Sequence, residues 1–275
     1  MPAGVPVTLK PEPQSFPGIS PFYQAGLCTP WVALTWPVGP REVELPAGEV
    51  HVWCARLGAF PEQIQPCWQM LSSDERARAE RFRFSSDRLH FVVARVMLRT
   101  LAGRYLGMPG SAVRFRYGPF GKPALDDCHG SDLRFNVAHS GGLAVYAFTR
   151  LREVGLDLEA EPLARLLAGV SDSFFTAAER QALAAIAPER RRLATLVLWT
   201  RKEAYLKALG CGLQQDLQSF EVSVPPLPPA LLRVPDGHAE ERRWFLYDLQ
   251  PARDLVGTLC VENQAQVRAW SWSHA

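Results

Sequence analysis

Apolar and polar positions first alternate at Glu49-Val50-His51-Val52-Trp53-Cys54-Ala55, a two-residue period that predicts a strand. Ser72-Ser73-Asp74-Glu75 is an S-x-x-E capping box and opens a helix. A second helix is predicted from Asp87 to Leu106, with Phe91, Val92, Val96, Met97 and Leu101 on its apolar side and Gly107 as its stop. Val113 to Tyr117 alternates as a strand. Phe135–His139 and Leu143–Phe148 read as a hairpin around Ser140-Gly141-Gly142, and Val154–Glu159 is a further strand. Good helix formers then run from Arg190 to Leu209, with Gly210 at the left-handed C-cap position. Ser219–Val224, Arg243–Leu249 and Leu255–Glu262 complete the set of strands.

This order of elements recurs. Val154–Glu159 follows Val50–Ala55 by 104 residues, and the capping box Thr176-Ala177-Ala178-Glu179 follows Ser72–Glu75 by the same 104. The second long helix trails the first by a similar offset. Three elements at one offset predict an α+β fold built by pseudo-two-fold duplication of an α/β unit, a small antiparallel sheet plus helices. Residues 47–150 form the first half and 151–275 the second, with the candidate site in the cleft between them. Residues 1–46 hold ten of the 23 prolines and are read as an irregular extension.

Composition narrows the class. The chain has 275 residues, is 47% hydrophobic and 21% charged, and carries a net charge of +2. That is globular, with no bulk electrostatic case for a nucleic-acid partner. Residues 13–40 are uncharged, but prolines at 13, 17, 21, 30, 37 and 40 exclude a spanning helix, so no membrane partner is expected. No basic stretch followed by an apolar run opens the chain, so no secretory signal is expected. The six cysteines form no C-x-x-C pair and read as reduced thiols of a cytoplasmic protein.

Candidate chemistry sits on the predicted elements. Asp157 and Glu159 lie two apart on a strand and project from the face opposite Leu156 and Leu158. Two carboxylates so close suit a hard divalent cation; by spacing alone an acidic solvent-facing edge of a half-buried strand is the better reading. Glu203 and Lys207 lie one helical turn apart, a spacing that by itself gives a surface ion pair. His139 ends an apolar strand, as a core or turn histidine would. Lys122 is held between Gly121 and Pro123 in a turn-rich loop, where it suits a phosphate or a plain surface turn. Eight arginines lie between Arg76 and Arg104; Arg88, Arg95 and Arg99 are placed on the polar face of the helix. Part of this run is a solvated face and part an anion-binding or acidic-partner surface.

Together, these segments resemble the surfactin-synthetase-activating type of 4′-phosphopantetheinyl transferase. The motifs that carry the resemblance are Gly121-Lys122-Pro123, Phe135-Asn136-Val137-Ala138-His139-Ser140, Val154-Gly155-Leu156-Asp157-Leu158-Glu159, and Trp199 through Gly212, in that order, over roughly residues 49–262. The resemblance implies two similar halves with the active site between them, coenzyme A as donor, Mg²⁺ as cofactor, and a serine of an apo acyl or peptidyl carrier protein as acceptor. It implies that Asp157, Glu159 and Glu203 hold Mg²⁺, that Lys202 and Lys207 contact the pyrophosphate, and that Lys122, His139, Arg78 and His90 bind coenzyme A. Glu203 is then the general base and Lys207 the group that stabilises the transferred phosphate. One departure is Ala138, where the family usually has serine; the resemblance implies the loss of a hydrogen bond to a coenzyme A phosphate. Leu163 to Phe175 is expected to touch the carrier or to be core, and a monomer is expected. Two other readings use the same residues: a Mg-dependent phosphodiesterase, and a non-catalytic binder of coenzyme A or a carrier.

Overall fold

A computed structural model describes residues 36–58, 64–168, 171–212, 215–235, 238–252 and 254–272. The strands are β1 (Glu49–Arg56), β2 (Phe115–Tyr117), β3 (Pro123–Leu125), β4 (Leu133–Ser140), β5 (Leu143–Arg150), β6 (Val154–Ala160), β7 (Glu221–Val222), β8 (Leu231–Arg233), β9 (Trp244–Ala252), β10 (Leu255–Glu262) and β11 (Gln266–Ser271). The helices are α1 (Ile64–Met70), α2 (Ser73–Glu80), α3 (Ser85–Leu106), α4 (Glu161–Ala168), α5 (Ser171–Phe174), α6 (Ala177–Ala184), α7 (Pro188–Leu209) and α8 (His238–Arg243).

The duplication is visible in the topology. One sheet runs β11-β1-β5-β4 and another β6-β10-β9, so β1-β5-β4 in the first half matches β6-β10-β9 in the second. Each half adds a small hairpin, β2-β3 or β7-β8. Both long helices have 22 residues and end on a left-handed glycine, Gly107 at φ 66° and Gly210 at φ 70°. Ser72 donates its amide to Glu75, and Thr176 its amide to Glu179, so both capping boxes close.

A further correspondence was hidden in the sequence. Each capping-box glutamate is also the partner of a buried cation on the following long helix. Arg99 Nε lies 2.7 Å from Glu75 and Lys202 Nζ 2.7 Å from Glu179. Each cation also binds the backbone of the next segment, Arg99 at Val113 O and Lys202 at Phe220 O. Arg99 therefore belongs to the interior and not to the polar helix face expected of it. Burying both partners is stable because every charge finds an opposite charge and further hydrogen bonds.

The core has two outer apolar clusters and a central one. Trp53, Leu101, Phe135, Tyr146 and Phe148 fill the space between the first sheet and α3. Phe175, Leu198, Tyr205, Phe220 and Trp244 fill the second half. Val50, Val52, Val145, Val154, Leu156, Leu158, Leu259 and Val261 join the two sheets. β1 is thus covered on both faces, which is why residues 49–55 are all buried.

Two expectations need correcting. The chain after β10 does not stay in its own half: β11 pairs in parallel with β1, from Glu49 with Gln266 to Cys54 with Ser271. Nor is the proline-rich segment outside the fold throughout. Ser271 donates its amide to Pro37 O, Gly39 donates to Ser271 O, and Leu45 joins the core. Residues 1–35 lie outside the described residues. Ser219–Val224 shrinks to the two-residue strand β7. Among the described residues no helix is long and apolar enough to cross a membrane, and Cys54, Cys67, Cys128, Cys211 and Cys260 are free thiols.

Where β11 joins β1, a buried polar chain crosses the sheet. Trp53 Nε1 donates to the Tyr105 hydroxyl, which lies 2.9 Å from His51 Nδ1, and His51 Nε2 lies 3.1 Å from Glu49. With the Tyr105 oxygen accepting from tryptophan, its proton goes to Nδ1, leaving Nε2–H to donate to the carboxylate. Arg268 completes the set at 2.7 Å from Glu49. Burial pushes the His51 ring down from 6.5 to about 4, against the opposing pull of Glu49. Unfolded histidine takes a proton near 6.5 while the folded ring stays neutral to about 4. The contribution is whole above pH 6.5 and is lost as pH falls towards 4. Urea unfolding of wild type and His51→Gln at pH 7 and pH 4.5 is expected to show wild type losing about 2–3 kcal/mol more than the variant.

Candidate functional site

Helix α7 and strand β6 meet backbone to backbone, and Gly155 permits it. A Cβ at 155 would stand 2.0 Å from Ala204 O and 2.2 Å from Ala208 N. Any side chain there would drive β6 off the helix. The contact brings Asp157, two residues further along β6, against Glu203 and Lys207 on α7.

Asp157 is 3% exposed, and Lys207 Nζ donates to its Oδ1 at 2.6 Å. Its Oδ2 is buried without a donor, and so is Oε1 of Glu203. Glu159 is half-buried, and Ser140 Oγ lies 3.4 Å from its Oε2. Burial, then the neighbouring Asp157, pushes Glu159 up to about 7, against the pull of Lys207 and Ser140. Burial and Asp157 push Glu203 to about 7 as well, again opposed by Lys207. Among the described residues no three acidic, histidine or cysteine side chains are drawn together as metal ligands would be. Carboxylates with no cation between them repel, and here Lys207 supplies the positive charge.

Cations gather on the other side of the cleft. His139 reaches the surface, yet desolvation of its ring by the surrounding protein holds it below its ordinary range, and the charges of Lys207, His90 and Arg78 act in the same direction. Those four groups come from β4, α7, α3 and α2, and Lys207, His90 and Arg78 lie near enough to His139 for their charges to act on it. A cavity of about 750 Å³ extends from Arg78 and is lined also by Asp74, Arg81, Phe82, Tyr117 and Gly121. Its lining sets aromatic faces and guanidinium groups beside the carboxylates of Asp74 and Glu75.

Other predicted residues lie elsewhere. Lys202 has no exposed surface; its ammonium is held by both oxygens of Glu179 and by Phe220 O at 2.7–2.8 Å. It does not reach the cleft. Five residues along a helix turn the chain by about 140°, so Lys202 and Lys207 face apart. Lys122 is turned inward too. It donates to Ala208 O at 3.0 Å, Glu153 at 3.2 Å and Val154 O at 3.3 Å, which ties its loop to the end of α7 and the start of β6. Its ammonium is engaged by protein oxygens and not directed at a nucleotide. Ala138 is 4% exposed and lies in the central apolar cluster, while its neighbour His139 is exposed. Position 138 thus faces away from the cation side. Phe175 is fully buried and Phe174 packs 5.2 Å from the Trp199 ring, so both belong to the core and not to a contact surface.

Sequence reasoning missed Asn136 and Ser140. Leu156 N donates to Asn136 Oδ1 at 2.9 Å, and Ala160 N to Ser140 Oγ at 3.1 Å. The available signal was an asparagine inside an apolar strand, which must find a partner when buried.

Comparison with known proteins bears on this arrangement. The model described as "4'-phosphopantetheinyl transferase superfamily" matches residues 153–260, and one described as "4'-phosphopantetheinyl transferase, N-terminal" matches residues 59–150. The 4'-phosphopantetheinyl transferase HetI of Nostoc is 36% identical over 228 residues, 82% of this chain and 93% of that protein. The chain belongs to the 4′-phosphopantetheinyl transferase family. Among other relatives, the psf-1 transferase of Bacillus pumilus is 32% identical over 74% of this chain and 83% of its own length. The Sfp transferase of Bacillus subtilis is 27% identical over 65% and 77%. In this family member the first matched segment ends with β5 and the second begins one residue before β6.

Lys202→Ala is expected to cost about 3–5 kcal/mol in denaturant unfolding, because Glu179 is left buried without its partner. The protein that remains folded is expected to bind coenzyme A as wild type does in calorimetric titration. A tenfold loss of that affinity would return Lys202 to the ligand.

Proposed function

We propose that the protein transfers the 4′-phosphopantetheine arm of coenzyme A to a serine hydroxyl of an apo acyl or peptidyl carrier protein and releases adenosine 3′,5′-bisphosphate. The observation that carries this reading is that Lys207 joins two sets of side chains, bonded to Asp157 on one side and acting on His139 on the other. Asp157, Glu159 and Glu203 present oxygens, Arg78 and Lys207 present positive charge, and His90 and His139 present ring nitrogens. A pyrophosphate needs both: cations for its own oxygens, and a hard ion to offset the charge that develops.

The unpartnered Asp157 Oδ2 and Glu203 Oε1 are, with Glu159, oxygen donors of the chemistry Mg²⁺ takes, although the three are not drawn together as ligands of one ion would be. These three residues would hold the ion, which when bound neutralises pyrophosphate charge. The remaining chemistry belongs to the chain. Arg78, His90 and His139 bind phosphate oxygens and fix the donor. Lys207 stabilises the phosphate that is transferred and the one that departs. Glu203 takes the proton from the serine hydroxyl as its oxygen attacks the β-phosphorus and the bond to the bridging oxygen breaks. Glu203 is thus both a candidate ligand and the candidate base, and the two roles compete for one carboxylate. A single chain supplies both halves of the cleft, in keeping with a monomer.

The direct experiment mixes the protein with coenzyme A, Mg²⁺ and several apo carrier domains and weighs the carriers. A phosphopantetheine mass gain on serine is expected. Coenzyme A breakdown with unmodified carriers would mean a phosphodiesterase, and neither change would mean a binder. Glu203→Gln is expected to keep the fold and lose about 10²–10⁴-fold in kcat. At limiting Mg²⁺ the wild-type rate is expected to rise with pH through about 7, because burial and Asp157 hold Glu159 and Glu203 protonated to about 7 until a cation displaces the protons. A rate flat from pH 6 to 8 would rule out ionisation of these groups as a requirement.

A further inference from the structure

β4 and β6 are the edge strands of different sheets, yet they are joined beside the carboxylates. The joints are side chains and not a backbone ladder. Asn136 Oδ1 accepts from Leu156 N, and Ser140 Oγ accepts from Ala160 N. Both bonds join residues 20 apart, so the two segments run in register, and the pair of bonds brackets Asp157 and Glu159. Ser140 does more than accept. Its hydroxyl proton is free to go to Glu159 Oε2, 3.4 Å away.

Strand geometry explains the spacing. β6 pairs with β10 along one edge, and amides at alternate positions point to the other edge. Leu156, Leu158 and Ala160 therefore aim their N–H groups at β4. On β4 the residues that face them are also two apart: Asn136, Ala138 and Ser140. An outer-edge amide buried beside an apolar cluster needs an acceptor. Asn136 is 4% exposed and supplies one for Leu156; Ser140 supplies one for Ala160. Since these acceptors are side-chain oxygens, β6 is tied to β4 without becoming another strand of its sheet. Position 138, opposite Leu158 in this register, is alanine and has no oxygen to give.

We propose that Asn136 and Ser140 are positioning residues that fix the β6 backbone at Asp157 and Glu159, and that position 138 is the middle rung of the same side-chain ladder, unfilled in this chain. The ladder rests on the function read above only in that Asp157 and Glu159 are taken as ligands. It changes the meaning of Ala138: the residue bears on how β6 is held and not on how a phosphate is bound.

The test uses the full chain and Mn²⁺ as the probe, followed by electron paramagnetic resonance without coenzyme A. Thermal midpoints and coenzyme A binding without metal are measured on the same samples. Asn136→Leu keeps the volume and loses the acceptor; Ser140→Ala loses the hydroxyl. Each is expected to weaken Mn²⁺ binding about 10–100-fold, the range for removing a group that orients a ligand. Coenzyme A affinity is expected to stay within about twofold, since the cation wall is untouched. Asn136→Asp, which retains an acceptor oxygen, is expected to recover most of the Mn²⁺ affinity lost in Asn136→Leu. A purely packing role would favour leucine over a buried aspartate. Ala138→Ser is expected to raise the thermal midpoint with coenzyme A affinity unchanged.

Folded Asn136→Leu and Ser140→Ala with wild-type Mn²⁺ affinity would overturn the proposal. Should Asn136→Leu not fold, Ser140→Ala and Ala138→Ser decide it alone. Tighter coenzyme A binding by Ala138→Ser at an unchanged midpoint would also overturn the assignment of position 138. Wild-type protein that binds no Mn²⁺ would overturn the metal reading itself, an outcome distinct from equal binding by wild type and variants.

Discussion

A carboxylate taken out of water must be compensated, and Asp157 is the buried charge on which this site is built. One of its oxygens has Lys207; the other has no donor. The arrangement follows from the close approach of β6 to α7, which only a residue without a side chain at 155 allows. Glu159 and Glu203 are each pushed towards neutrality by burial and by Asp157. The site therefore holds acids that resist full ionisation in their own field, with Lys207 as the cation beside them. Such a balance is what an arriving pyrophosphate and a divalent ion would complete from both sides.

The duplication shows how such a site arises from an ordinary core. In the first half, the positions 104 residues before Asp157 and Glu159 are Trp53 and Ala55, both on β1. They fill the apolar cluster between β1 and α3, where Trp53 is 1% exposed and Ala55 3%. The second half places carboxylates where the first places hydrocarbon. Its layout survives because the anchors around it are conserved between the halves: the capping-box glutamate, its buried cation, and the left-handed glycine. One half keeps the packing and the other spends the same geometry on chemistry.

How much of this was legible depends on the range of the interactions. Strand alternation, capping boxes and glycine stops are local, and they located β1, β4 to β6, α3 and α7 to within a few residues. β11 was missed although Gln266-Val267-Arg268-Ala269 alternates, because the run is short and its partner β1 lies more than 200 residues away. Lys122 and Lys202 were misplaced for a different reason. A lysine in a motif gives no sign of whether its ammonium faces a ligand or a protein carboxylate. For Lys202 the answer lay in Glu179, already recognised as a capping-box residue, whose second partner appears only in three dimensions. Asn136 and Ser140 were passed over because their role is to serve backbone amides of another strand, which no spacing rule within β4 shows.

The stretch Arg201-Lys202-Glu203 gains a single explanation from these anchors. Arg201 is fully buried and holds Asp248 through two nitrogens, together with Ser223 and Leu227 O. Lys202, beside it, is fully buried and holds Glu179 and Phe220 O. Successive helix residues point about 100° apart, so the two cations pin α7 on two different sides. Glu203 is the next residue and points in a third direction, towards Asp157. Rotation of the helix about its axis would break a buried ion pair on either side. A group that is to take a proton or bind an ion must be held to a fraction of an ångström, and loops rarely do so. Here two cations bound to protein carboxylates fix the direction of the carboxylate proposed as base. Two charges of the run are thus scaffold, and Glu203 and, one turn on, Lys207 are the ones left beside Asp157.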